Sequence, residues 1–137
     1  MATANFFEDF VEVLGLGDHH LDTDTLKVYA SNAAPSASGD AVKADLAEIS
    51  AEHDYPSGGS DSQNGWSETG GTGTLTATDV VWTAAGGSFG ALRYIPLYND
   101  THASDALVMW WDYGSSVTVN DGETFTVDFG ASVFTIA

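Results

Sequence analysis

Apolar residues near the start of the chain recur with helical spacing. Phe6, Phe7, Phe10, Val11 and Leu14 fall at i, i+1, i+4, i+5 and i+8, so residues 3–14 are expected to form a short amphipathic helix. Glu8 and Asp9 lie in its first half, where carboxylates suit the positive end of the helix dipole. Thr3 or Asn5 is the expected cap, and Gly15 and Gly17 are the expected stop. Residues 40–49 (DAVKADLAEI) are expected to form a further short helix, capped by Asp40 and turning Val42, Leu46 and Ile49 inward.

The rest of the pattern is strand-like. Residues 26–30, 76–83 and 91–98 are β-rich runs, bounded by loops at 31–39 and 99–105 and turns at 53–59 and 84–89. Pro96 points to an edge strand or a bulge, because proline cannot donate to a ladder. Residues 57–78 are rich in Gly, Ser, Thr and Asp. They are expected to hold an exposed strand near Trp66 and another at 74–78, joined by a Gly-rich turn.

The closing stretch, residues 106–137, carries the densest pattern. Leu107, Met109, Trp111 and Tyr113 share one face and Val108 and Trp110 the other, as in a central strand covered on both sides. Beyond it, Asn120-Asp121-Gly122 reads as a hairpin turn. A three-residue loop with Gly122 left-handed sets Val117 opposite Phe125 and Ser115 opposite Val127, keeping apolar residues together better than a two-residue loop does. The sum is an all-β chain, an antiparallel β-sandwich (jelly-roll-like) of about seven or eight strands. A short N-terminal α-helix and one further short helix accompany it. Residues 1–137 are expected to be a single domain, with 1–17 as an N-terminal helix or arm.

Charge narrows the function. Three basic residues (Lys27, Lys43, Arg93) face 20 acids, a net of −17. Nucleic acid is not expected as a partner, because a phosphate backbone needs a basic patch to release its counterions. An anionic membrane surface is disfavoured for the same reason. No basic, apolar signal peptide stands at the start and no run of about 18 apolar residues exists, so no membrane span is expected. There is no cysteine, hence no disulfide or thiolate site. The acids are spread along the chain, which suits a wholly acidic surface and, as one reading, adaptation to high salt.

Candidate chemistry is sparse. Gly86-Gly87-Ser88-Phe89-Gly90 matches a nucleophile elbow, but a strand, not a helix, is expected after it, so a turn is the better reading. Asp18-His19-His20-Leu21-Asp22-Thr23-Asp24 gathers possible metal ligands, yet adjacent histidines rarely converge and the Gly and terminal Glu of an EF-hand are missing. A solvated loop is expected there. Asn99-Asp100-Thr101 is a formal glycosylation sequon. Asp112, between Trp111 and Tyr113, needs a partner, and Arg93 is the one arginine able to supply a guanidinium. No catalytic residue, cofactor site or metal site is assigned.

Three stretches carry a resemblance. They are residues 24–35 (DTLKVYASNAAP), residues 82–88 (WTAAGGS) running on to Arg93-Tyr94 and 97–100 (LYND), and residues 110–119 (WWDYGSSVTV) with 120–125 (NDGETF). With these the chain resembles a family of small virion structural proteins of tailed viruses. The resemblance implies no catalytic residues. It implies a capsid decoration (cement) protein on the virion, whose partners are the major capsid protein and further copies of itself, as a trimer. A tail or fibre component is the close alternative. This chain departs from such relatives in being more acidic, which suits a halophilic host, including a haloarchaeon. The expected interface residues are Phe6, Phe7 and Phe10 of the N-terminal segment, Trp66, and one of the paired tryptophans, Trp110. A carbohydrate- or receptor-binding module is the competing reading, with Trp66, His102 and Asp105 as its platform.

Overall fold

The computed structural model describes residues 3–137. Among the described residues strands take 42% against a single short α-helix, which makes the fold mostly β and sandwich-like, with several antiparallel sheets and no closed barrel. Ten strands are present among the described residues, more than expected, because several are short. A five-stranded sheet runs β1 (Thr3–Phe6), β8 (Leu107–Val119), β7 (Phe89–Asn99), β2 (Leu26–Val28), β3 (Ser60–Asp61). A three-stranded sheet runs β10 (Phe134–Ile136), β5 (Thr72–Thr76), β4 (Gly65–Thr69), and β6 (Val80–Thr83) pairs with β9 (Thr124–Val127).

The N-terminal segment is not helical throughout. Phe6 and Phe7 obey a period of two: Phe7 is fully buried and Phe6 is 44% exposed, with β1 laid antiparallel on β8. Helix α1 (Glu8–Gly15) starts only after Phe7, which has no side-chain acceptor to offer as a cap. Instead the Glu8 N–H donates to the Ala37 carbonyl (2.9 Å). The helical spacing survives across the junction, since Phe6 and Phe10 stack at 5.7 Å. At the far end the Gly17 N–H donates to the Leu14 carbonyl and the Asp18 N–H to the Val13 carbonyl, a Schellman stop that needs the left-handed φ of 81° at Gly17. Met1 and Ala2 of the expected 1–17 arm lie outside the described residues.

The expected helix at 40–49 reduces to a 3-10 turn, Lys43–Asp45. The Asp45 carboxylate accepts from the Ala41 and Val42 amides (3.0 and 3.1 Å). Downstream, the Ile49 N–H goes to the Ala30 carbonyl and the Ser31 hydroxyl to the Ala47 carbonyl. Side-chain and tertiary partners have taken the groups a helix would pair internally.

The expected closing hairpin does not form. Asn120 to Glu123 is a turn, with Gly122 left-handed (φ 83°), but it passes the chain from one sheet to another. β9 sets Phe125 opposite Trp82 and Val127 opposite Val80, while β8 sets Val117 opposite Leu92 and Val119 opposite Phe89. The alternation of β9 matches that of β6, one buried face and one exposed, and the Gly122 and Glu123 backbones bond to Ala84 at the end of β6.

β8 is covered on both faces only over Leu107 to Trp110, with Tyr113, expected on a covered face, 50% exposed, and a bulge redistributes the covered residues. Leu97 pairs with Met109 and Tyr98 with Leu107, so Val108 is the extra residue. Leu107 consequently joins Trp110 on one side, while Val108 and Met109 face the main core with Trp111 packed against it. Pro96 lies beside this bulge in β7, an interior strand and not an edge. Its carbonyl accepts from the Tyr29 N–H (3.1 Å), one residue past the end of β2, so the donor it lacks falls where that ladder already stops.

Candidate functional site

The five-stranded sheet buries apolar residues on both faces. The main core joins it to α1 and the smaller sheets, and a second cluster of Phe7, Tyr29, Leu46, Tyr98, Leu107 and Trp110 lies on the other side. This placement disposes of three expected interface residues. Phe7 and Phe10 are buried and Trp110 is only 9% exposed, tilted against Phe7 at 4.6 Å. Trp111 is also packed inward, edge-on to Phe129 at 5.5 Å. Of the five, Phe6 and Trp66 keep surface to offer. Trp66 is half-buried in β4 and not in an open loop: its indole lies over Gly73, where any Cβ would collide with the ring, and against Phe134.

The chain's polar chemistry gathers where the loop after α1 meets the end of β7. His19 and Asp24 are expected in a solvated loop, but both turn inward, onto Asn99. Asn64 holds the loop in place, donating to the Leu21 and Asp24 carbonyls and accepting from the Leu26 N–H. The fully buried Asn99 has its amide orientation set by the backbone. Its oxygen accepts from the Thr101 and His102 N–H groups (3.0 and 3.2 Å). Its nitrogen donates to Asp24 Oδ2 (2.7 Å) and to His19 Nδ1 (2.9 Å). The His20 N–H also donates to Asp24 Oδ2 (2.9 Å).

Tautomers follow from these bonds. Because Nδ1 of His19 accepts, its neutral ring carries the proton on Nε2, and that buried N–H has no partner among the described residues. Burial lowers the His19 pKa, with His102 adding to the effect and Asp24, Asp18 and Asp9 opposing it. Burial would raise the Asp24 carboxyl, but hydrogen bonds from His20 and Asn99 outweigh it and hold the group below its ordinary value.

An open groove of about 400 Å³ beside this cluster is lined by Asp18, His20, Asp24, Thr101, His102 and Ala103. The residue types suit a divalent cation, yet the bonds do not. His102 Nδ1 accepts from the Ser104 N–H (3.1 Å), so it too carries its proton on Nε2. Two of the histidines therefore present no unused ring lone pair, and among the described residues no three His, Asp or Glu side chains converge as a ligand set. The arrangement pins the loop to the strand. It also buries the sequon, since the Asn99 nitrogen that would carry a glycan is sealed and already bonded.

The other chemical motifs have structural partners. Ser88 sits in the turn before β7 and its hydroxyl donates to Asn120 Oδ1 (3.2 Å), with a strand and not a helix following. Arg93 binds Asp112 through two bonds, Nε to Oδ1 (2.8 Å) and Nη2 to Oδ2 (3.1 Å), as expected from the sequence. The bond to Asp112 raises the Arg93 pKa, and the bond from Arg93 lowers that of Asp112. Lys27 pairs with Asp100 (3.2 Å) and Lys43 with Glu48 (3.1 Å), so each of the three cationic side chains is held by a carboxylate of its own chain.

One polar cluster has no signal in the sequence. Glu48 accepts from Lys43 Nζ, from the Tyr55 hydroxyl (2.8 Å) and from the Gly58 N–H (2.8 Å). Lys43 Nζ lies 4.8 Å from the Tyr29 ring centre and 5.7 Å from that of Tyr98, where ring faces attract a cation. Tyr29 donates to the Leu46 carbonyl and Tyr98 to that of Gly58, and burial pushes all three tyrosine pKa values up.

A further surface feature is apolar. Phe6 lies edge-on to Phe134 at 5.2 Å, and Ile136, two residues on, is 43% exposed. An open groove of about 340 Å³ beside them is lined by Leu14, His19, His20, Leu21, Asp22, Trp66 and Ile136. The chain matches no protein-family model, no curated protein and no solved structure.

Proposed function

We propose that the chain is a non-enzymatic structural protein of a tailed-virus particle, a decoration protein bound to the major capsid lattice and present there as a homotrimer. The resemblance carried by residues 24–35, by 82–88 with 93–94 and 97–100, and by 110–125 motivates the reading. The observation that carries it is the apolar surface of Phe6, Leu14, Trp66 and Ile136 on a molecule of net charge −17 whose cationic side chains are all paired. Such a surface suits docking to a macromolecule, and the carboxylates around the rest keep particles apart. The paired cations leave no lysine or arginine patch for nucleic acid. No helix among the described residues is long and apolar enough to cross a membrane.

The hydrogen bonding of Ser88, His19 and His102 supports the non-enzymatic part, since each is engaged in holding a turn or a loop. The carbohydrate-module reading has less support: Trp66 is backed by Gly73 and Phe134, and His102 lines a different groove. The sheets belong, on this proposal, to a jelly-roll-like sandwich with short added strands. A host in concentrated salt fits the acidity; the thermal midpoint of the purified protein is then expected to rise between about 0.1 M and molar salt as self-repulsion is screened, and a flat response removes that part. Electron microscopy of purified particles tests the whole. Density for this protein on the capsid shell is the expected result; density on the tail moves it to the alternative, and its absence from particles overturns the reading.

A further inference from the structure

The groove beside Ile136 has an apolar floor and an anionic setting. Leu14 and Leu21 come from the helix and the loop after it, Trp66 from β4 and Ile136 from β10, with Asp22 exposed on the rim beside His20. Phe6, packed on Phe134, extends the apolar surface past the groove. The choice of occupant follows from charge. A second copy has nothing to meet the single rim carboxylate, Asp22, because its three Lys and Arg side chains are already held by its own Asp100, Glu48 and Asp112. No cation is left over to bridge Asp22 across two copies, so charge complementarity at this groove selects a partner that brings its own.

From this surface we infer that the groove of Leu14, Leu21, Trp66 and Ile136 is the docking site for a partner-protein segment with one or two large apolar side chains flanked by lysine or arginine. The apolar side chains fill the groove against the indole, and a flanking cation meets Asp22. This rests on the proposed attachment to a virion protein and names the chemistry of the segment that accepts it. Homotrimer contacts, on this view, are made elsewhere on the chain.

The test uses the whole chain and three labelled hexapeptides. They are Lys-Lys-Leu-Phe-Lys-Lys, its charge-reversed form Glu-Glu-Leu-Phe-Glu-Glu, and the non-apolar Lys-Lys-Ser-Gly-Lys-Lys. The first is expected to bind saturably, about tenfold or more tighter than either control, with amide shifts centred on Trp66 and Ile136. Ile136→Glu should weaken it about tenfold, and Asp22→Lys should reverse the preference between the first two peptides. Both positions are solvent-facing, so the fold should survive either change. Equal binding of all three, shifts away from the groove, or affinities unmoved by both variants overturn the inference. So does a concentration-dependent dimer in sedimentation that Ile136→Glu abolishes, because the occupant is then a second copy. Particles separate this inference from the functional proposal. Protein that occupies capsids whether or not both variants are present overturns the groove and keeps the capsid role. Selective peptide binding by a protein absent from particles does the reverse.

Discussion

Tyr98 and Asn99 are neighbours at the end of β7, and strand alternation sends them to opposite faces of the sheet. Tyr98 enters the cluster of Lys43, Glu48 and Tyr55, while Asn99 enters that of His19 and Asp24. Each cluster is built on a largely buried carboxylate holding loops to the sheet, but they satisfy it differently. Glu48 has a cation, a phenol and a backbone amide, with aromatic faces under the lysine. Asp24 depends on neutral donors, and its nearest ring nitrogen of opposite potential charge, His20 Nδ1, is 3.9 Å away. Beside it His19 leaves one buried N–H without a partner among the described residues. Completeness of hydrogen bonding, more than depth, separates the two clusters.

Breaking the complete cluster should cost most. Glu48→Ala strands the Tyr55 hydroxyl, the Gly58 amide and the Lys43 ammonium at once, and a loss of about 3 kcal/mol is expected in urea denaturation. Asn99→Ala removes the hub of the second cluster and should cost about 2 kcal/mol, with the His19 pKa rising in an NMR titration as Nδ1 becomes free to take a proton. A smaller effect sharpens the contrast through pH. The folded His19 binds its proton less readily than an ordinary imidazole at 6.5, so the unfolded chain gains protons first and stability falls as pH drops through that value. Asp24 has the opposite ordinary state but the same direction: its contribution is present above 3.8 and is lost as pH falls further. His19→Phe should flatten the first of these two steps and leave the second, as read from denaturation midpoints across the range. The smallest change is expected from Arg93→Lys, which keeps the charge opposite Asp112 but loses the two-bond geometry on a solvent-screened face. Its thermal midpoint should move less than that of Asn99→Ala, and an equal or larger fall would place the Arg93 pair among the buried locks.

Several of these features are legible in the sequence. Arg93 and Asp112 could be paired because the chain has one arginine and an aspartate set between two aromatics. The β-rich runs at 76–83 and after Gly122 mark strands, and Gly17 marks the helix stop. The partners of those strands are another matter. Turn chemistry at Asn120-Asp121-Gly122 is real, but it specifies a reversal of the chain and not the sheet that receives the next strand. The two buried polar clusters were hidden for a related reason. Asn99 ends an apolar run in what looks like a loop sequon, and Glu48 reads as one acid among 20; neither residue type announces that distant donors will converge on it.

Short-range order thus belongs to the sequence: the mostly β character, the early amphipathic helix, the turn positions, and the strong net acidity follow from periods of two and 3.6, from glycine conformations and from charge counting. Only tertiary structure decided that Phe6 ends a strand while Phe7 and Phe10 are core, that Val108 bulges and so turns Leu107 toward Trp110, and that β9 leaves β8 for β6. The physical reason is that strand pairing and buried polar networks join residues separated by tens of positions, so their energies depend on which faces meet. Local pattern says that a face must be covered; it leaves open what covers it.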